Sequence, residues 1–253
     1  MTRARHAPFP FRLVDLAEIR ARLGLVVLQM DETVEQDFRR LFPSPHVEIY
    51  VSRIPSAADV TSETLTMMED ALPHAAGLFP AGAPMDCVGF ACTSGAGIMG
   101  PEQVSELVRS ASRARHVTNP HSAAVAGLRQ LGISRIGLVS PYIEEVATVL
   151  AETFGQRGIE VTDSVTFGER TESRVVRIDP ASIRAAALEV GRDTRAEAVF
   201  LSCTNLRTLG VIEALERELG KPVLSSNLAL AWHMAHLAAG PLPAIGSRLV
   251  AGT

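Results

Sequence analysis

One pattern occurs twice in this chain. An apolar run leads into a cysteine as Val88-Gly89-Phe90-Ala91-Cys92-Thr93-Ser94, and again as Ala198-Val199-Phe200-Leu201-Ser202-Cys203-Thr204-Asn205. A second pattern, Arg22-Leu23-Gly24-Leu25-Val26-Val27, returns as Arg135-Ile136-Gly137-Leu138-Val139-Ser140. The paired glycines lie 113 positions apart and the paired cysteines 111. Two different motifs that share nearly one offset predict a duplicated α/β unit. Both cysteine runs read as buried strands, and a parallel strand delivers its last side chain to the carboxyl edge of its sheet, where such proteins bind ligands. Equivalent strand ends of a duplicated fold can then face each other across a cleft.

The rest of the chain alternates in the same way. Strands are expected at Leu23–Leu28, Val47–Arg53, Asp86–Ala91, Ile136–Val139, Ile159–Phe167, Ala198–Ser202 and Pro222–Leu224. Helices are expected at Glu32–Leu41 (capped by Asp31), Thr61–Leu78, from Pro101, at Ser122–Leu131, Tyr142–Arg157, Pro180–Arg192, Thr208–Leu219 and Leu228–Ala239. Asp31 suits an N-cap, proline suits a first helical turn, and Gly220 suits a helix end. Residues 1 to about 20 read as a leader with at most a short helical turn. Strands alternating with helices imply parallel sheets built from βαβ units.

Composition narrows the function classes. At 253 residues and 47% hydrophobic content, the chain can bury one large core or two small ones. Its net charge of −4 and pI of about 6.0 offer no basic field for nucleic acid. No apolar run approaches the roughly 20 residues that span a bilayer, and the first residues lack a secretory apolar segment. Three cysteines suit a reducing compartment better than a disulfide framework. A cytoplasmic protein that forms a homo-oligomer, a dimer or higher, is expected.

Cys92 and Cys203 are the candidate catalytic groups. Cysteine is often a small buried hydrophobe, and Cys87, at the start of its strand, reads that way. Two thiols at matching strand ends, each beside hydroxyl or amide donors, point instead to acid/base or nucleophilic chemistry. Both are read as preceding helices, whose N–H groups lower a thiol pKa or hold a carboxylate. Thr93, Ser94, Thr204 and Asn205 either bind a substrate carboxylate or cap the next helix. Tyr142, one of two tyrosines, falls just past a strand, where its phenol can donate to an oxyanion. Zinc finds no CxxC or CxxH spacing at either cysteine, although His116, His121, His233 and His236 remain possible ligands by type. No nucleotide-binding glycine motif occurs at a strand–helix junction.

At these residues the chain resembles the Asp/Glu racemase superfamily, and within it the branch of maleate cis-trans isomerase and arylmalonate decarboxylase. The matching pieces are Gly24-Leu25-Val26-Val27, Cys92-Thr93-Ser94-Gly95, Pro141-Tyr142, Arg177-Ile178-Asp179-Pro180 and Ser202-Cys203-Thr204-Asn205-Leu206. Further pieces, Leu28-Gln29-Met30-Asp31-Glu32-Thr33, Tyr50-Val51-Ser52-Arg53, Ser140-Pro141-Tyr142-Ile143-Glu144-Glu145 and Pro222-Val223-Leu224-Ser225-Ser226-Asn227, are similar to the ectoine-utilisation protein A subgroup. The resemblance implies two αβα domains related by a pseudo-twofold axis, residues 1–117 with 227–253 and residues 118–226, with the active site between them. It implies no metal and no organic cofactor, and one cysteine on each face of a small carboxylate substrate. Racemases of the superfamily move an α-proton between the two thiols. Maleate isomerases add the first cysteine to a double bond. The decarboxylases keep only the second cysteine, so two filled positions speak against simple decarboxylation here.

The chain departs from this pattern at two positions. Where maleate isomerases carry a Pro-Ser-Ser-Asn turn, this chain has Leu28-Gln29-Met30-Asp31, and Glu172 aligns with a second amide position. An ionised carboxylate repels a substrate carboxylate and attracts an ammonium group. The expected activity is therefore racemisation or isomerisation of a small amino-carboxylate, linked to ectoine catabolism. The alternatives are maleate-type cis-trans isomerisation with Cys92 as nucleophile, and a ligand-binding protein that keeps the fold without turnover.

Overall fold

A computed structural model of the chain describes residues 8–14, 17–56 and 62–252. In chain order these form β1 (Ala21–Leu28), α1 (Val34–Leu41), β2 (Val47–Ile54), α2 (Ser62–Ala76), β3 (Cys87–Ala91), α3 (Thr93–Met99), α4 (Pro101–Ala111) and β4 (His116–Thr118). There follow α5 (Pro120–Gln130), β5 (Arg135–Ser140), α6 (Glu144–Gln156), β6 (Glu160–Thr166), α7 (Glu172–Val175), α8 (Pro180–Gly191) and β7 (Ala198–Leu201). Last come α9 (Leu209–Leu219), β8 (Val223–Ser225), α10 (Ser226–Leu237) and α11 (Arg248–Ala251). The strands make two four-stranded parallel sheets, β2-β1-β3-β4 and β6-β5-β7-β8. The order is the same in both: each glycine strand lies second and each cysteine strand third.

The repeated glycine has a packing reason. A Cβ added at Gly137 in β5 would stand 2.8 Å from the Val190 Cβ and 2.9 Å from its carbonyl oxygen. Helix α8 therefore rests on the sheet at a distance only glycine permits. Strands β3 and β7 are buried at every position, as expected where helices cover both faces of a parallel sheet. Helix α10 is buried on almost all sides, the mark of a helix inside the molecule. It packs against β3 and β4 of the first sheet, β8 of the second, and helices α1 and α5. Among the described residues no helix is long and apolar enough to cross a membrane.

Several expectations shift. Helix α1 starts at Val34 with Thr33 as its capping residue, although the Asp31 carboxylate still accepts from the first free N–H groups. Tyr142 lies in the loop before α6, which starts at Glu144. Helix α3 occupies a Gly95-Ala96-Gly97 stretch that reads as a turn, since glycine disfavours helices. Strand β4 is only three residues long, too short to show a period. Residues 8–14 carry no regular structure; the remainder of the expected leader, residues 1–7 and 15–16, lies outside the described residues, as does Thr61.

Asp37 of α1 is buried against α10. Its Oδ2 accepts from the Asn227 Nδ2 at 2.8 Å, while the Asn227 Oδ1 has no partner. Burial pushes the Asp37 pKa up from 3.8 to about 6, against the Asn227 hydrogen bond. The folded chain thus holds a proton that the unfolded chain releases, and stability falls as pH rises from about 4 to about 6, then levels. Asp37→Asn supplies an amide able to donate to the Asn227 Oδ1. It should raise unfolding free energy at pH 7 by on the order of 1–3 kcal/mol and do little at pH 4. Denaturant melts at the two pH values check this; an equal effect at both would refute it.

Candidate active site

The loops at the carboxyl ends of β1, β3, β5, β6 and β7 converge on one small cavity. It holds about 260 Å³ of empty space and is lined by Leu28, Asp31, Cys92, Thr93, Ser94, Tyr142, Glu172, Cys203, Thr204 and Asn205. The nine residues singled out from sequence all border it, and Leu28 joins them. Ten side chains close around this space, so the occupant has few heavy atoms. Among the described residues, no lysine, arginine or histidine lines the cavity.

Cys92 follows β3 directly and caps α3. Its sulfur accepts the Gly95 N–H at 3.2 Å and lies 3.9 Å from the Ser94 Oγ. A Cβ at position 95 would stand 2.8 Å from that sulfur, so glycine is required for the N–H to reach it. Cys203 is held differently. Its φ is 96°, a left-handed conformation that costs a non-glycine residue about 1–3 kcal/mol and persists only where neighbours enforce it. The Ser226 Oγ does so by accepting the Cys203 N–H at 3.0 Å. No helix follows Cys203 directly, because α9 begins at Leu209. That corrects the reading of both cysteines as helix-preceding.

Ser226 also joins the two cysteine loops. Its Oγ lies 2.8 Å from the Thr93 Oγ1. A second tie runs from the Thr204 Oγ1 to the Ala91 carbonyl at 3.2 Å. Asn205 clamps a third segment. Its Oδ1 accepts the Glu32 N–H at 2.9 Å, and its Nδ2 donates to the Glu172 Oε2 at 3.0 Å and the Glu172 carbonyl at 3.1 Å. Asn205 thus spends its amide on the protein, which suits positioning more than substrate binding. The sequence motif at residues 222–227 contains Ser226 without marking it as a site residue. Its signal was the Ser225-Ser226-Asn227 run at the end of a short strand, which the sequence alone could not aim at Cys203.

Two carboxylates, the buried Asp31 and the half-buried Glu172, share the cavity with the thiols. The Asp31 Oδ1 accepts the Thr33 and Val34 N–H groups at 2.8 and 2.9 Å, while its Oδ2 is buried without a partner. Burial pushes the pKa of Asp31 up against those hydrogen bonds. Burial also raises Glu172, the Asn205 hydrogen bond lowers it, and the Asp31 charge raises it further. Arg53, whose charge acts on Asp31, donates to the carbonyls of Leu28, Gln29 and Asp31 and pairs with Glu35, so it shapes the β1–α1 loop from outside.

Burial dominates both thiols as well. Cys92 is pushed up to about 12, with the Gly95 N–H pulling down and Glu172 pushing up. Cys203 is raised well above the usual thiol range by burial and Glu172, against the Asn205 N–H and the Tyr142 hydroxyl. The depressed thiol pKa expected from helix N-termini is therefore not found in the empty site; both thiols are neutral there. Cys87 lies in the core, 0% exposed, and burial raises it too. Among the described residues no group of three or more His, Cys, Asp and Glu side chains could hold a metal.

The chain is similar to the maleate isomerase of Geobacillus stearothermophilus, with 27% identity over 223 residues that cover 81% of this chain and 86% of that protein. It is 33% identical to the arylmalonate decarboxylase of Bordetella bronchiseptica over 126 residues, 49% of this chain and 52% of that one. Its structure is similar to that of a cysteine-to-serine mutant of the Nocardia farcinica maleate cis-trans isomerase with a covalently bound succinylcysteine intermediate. There the TM-score is 0.81 at 26% identity, covering 91% of this chain and 98% of that chain. Residues 23–249 match the arylmalonate decarboxylase family, and the chain belongs to that family.

The raised thiols make a direct expectation. In ligand-free protein the ultraviolet absorbance of thiolate should stay flat from pH 7 to about 10. A titration step near neutrality would show that one thiol is already activated.

Proposed function

We propose that the protein is a cofactor-independent isomerase of a small amino-carboxylate, with Cys92 and Cys203 as an acid/base pair. The charge of the cavity carries this reading. Both thiols share it with Asp31 and Glu172, and no cation lines it. A dicarboxylate placed there meets like charge in a desolvated site. A substrate ammonium instead offers the Asp31 Oδ2 the donor it lacks and neutralises the field that Asp31 and Glu172 impose on both thiols. Binding of the right substrate thus favours the thiolate.

One thiolate then removes the α-proton and the opposite thiol returns a proton to the other face, leaving the mirror-image product and exchanged protonation states. Tyr142, Thr93 and Ser94 supply hydroxyl donors for the substrate carboxylate, Thr204 ties its loop to the Ala91 carbonyl, and Asn205 holds Glu172 in place. A diaminobutyrate-type product of ectoine breakdown has the required charges, in keeping with the resemblance to the ectoine-utilisation subgroup.

A second reading is supported by the relatives. The N. farcinica mutant carries a succinylcysteine, which favours maleate-type chemistry here with Cys92 as nucleophile. The thiolate would add to the double bond, the resulting single bond would rotate, and elimination would release the trans diacid and the thiolate. Incubation with amino-carboxylates and with maleate in deuterated water, followed by NMR, separates the readings. The proposal expects α-deuteration of an amino-carboxylate. Conversion of maleate to fumarate without such exchange would select the second reading, and no turnover of either would leave a binding protein.

Substitutions sharpen the choice. Cys92→Ser and Cys203→Ser should each lower turnover at least roughly 100-fold, as loss of a positioned acid or base does, while Cys87→Ser should change it little. Near-normal activity in Cys203→Ser would sink the paired mechanism. Asp31→Asn should weaken binding of the amino-carboxylate and improve binding of maleate, compared at fixed salt because screening alters the contrast. Tighter binding of maleate than of any amino-carboxylate by the unmodified protein would exclude the ammonium.

A further inference from the structure

A second cavity lies away from the cysteines, over α5 and the end of α6. It holds about 380 Å³ of empty space and is lined by His121, Ser122, Val125, Ala126, Arg129 and Arg157. His121 is only 2% exposed, and neither of its ring nitrogens has a partner in the protein. Its ring packs on Phe154 with centroids 4.6 Å apart, which fixes the plane of the imidazole without satisfying its polar atoms. A buried polar group without a partner is costly, and the cavity that His121 borders offers room for one.

The surrounding groups define that partner. Arg129 donates from its Nη2 to the Arg157 carbonyl at 2.9 Å, which holds its guanidinium beside the cavity. Arg157 pairs through its Nη2 with Glu102 of α4 at 2.8 and 2.9 Å. Two guanidiniums against one carboxylate leave an excess positive charge, and no acid lines the cavity. The Ser122 N–H is taken by the Asn119 side chain at 2.9 Å, leaving its hydroxyl as a donor at the first turn of an eleven-residue helix. Guanidiniums, a hydroxyl and an imidazole N–H together suit oxygen acceptors with negative charge.

We propose that this cavity is a second ligand site, for a small oxyanion of the phosphate or carboxylate kind, held by Arg129 and Arg157 with Ser122 and His121 as hydrogen-bond donors. It does not depend on the chemistry assigned to the cysteine cavity.

The test titrates the full chain with inorganic phosphate and, separately, with acetate, at ionic strength held constant with sodium chloride. The His121 ring resonances are followed by NMR and assigned with His121→Phe, which keeps an aromatic ring against Phe154. A saturable shift of those resonances is expected, and the larger affinity of the two arms identifies the ligand as phosphate or carboxylate. Burial holds His121 down at about 4, with Arg157 lowering it and Glu102 raising it; a bound anion should move it up. Arg129→Ala, at an exposed position, should weaken binding about tenfold, the loss expected for a charge-assisted hydrogen bond, while Cys92→Ser should leave it unchanged. Absence of a saturable His121 shift with both anions, or full binding in Arg129→Ala, would overturn the site. If His121→Phe fails to fold, the wild-type titration and Arg129→Ala still decide.

Discussion

One hydroxyl holds the site together. The Ser226 Oγ accepts the Cys203 N–H and meets the Thr93 hydroxyl, so the last loop of one sheet and the first turn after the other are fixed to the same atom. Without it, the positive φ of Cys203 would lose its restraint and a buried N–H would lose its acceptor. Asn227, the next residue, continues the task by donating to the Thr204 carbonyl and to Asp37. A helix shared by both sheets thereby sets the spacing of two thiols that belong to different strands.

Much of this was legible in the chain. The offsets of Gly24 and Gly137, and of Cys92 and Cys203, reflect two sheets of one strand order, and such repeats survive because buried parallel strands tolerate little but apolar residues. The nine marked side chains meet because parallel strands send their ends to one edge. What stayed hidden depends on tertiary placement. The part played by Ser226 needs α10 docked against both sheets. The backbone of Cys203 leaves no trace in composition. The direction of the thiol shifts turns on how deeply the cavity is buried, and burial outweighs the N–H groups that sequence placed beside the sulfurs.

Among the described residues, no positively charged side chain lines the cavity that holds the thiols. Its polar lining is hydroxyls, one amide and two acids, and Arg53 spends its donors on the loop behind. Selectivity therefore resides in what is missing as much as in what is present. On the proposed reading, a substrate carboxylate is met by neutral hydroxyls, and the charge that balances Asp31 and Glu172 arrives with the substrate. Burial does most to keep both thiols neutral, and Glu172 and Asp31 push the same way.

The position of Ser226 along the chain has a consequence for biosynthesis. Every strand of both sheets precedes it, since β8 ends at Ser225. A chain emerging from the ribosome, where folding proceeds from the N-terminal side, can pair β1 to β7 and present both cysteines before the residue that aligns them has emerged. The nascent protein carries its thiols through synthesis without an assembled centre, and the centre comes into being only as the first turn of α10 seats between the two halves.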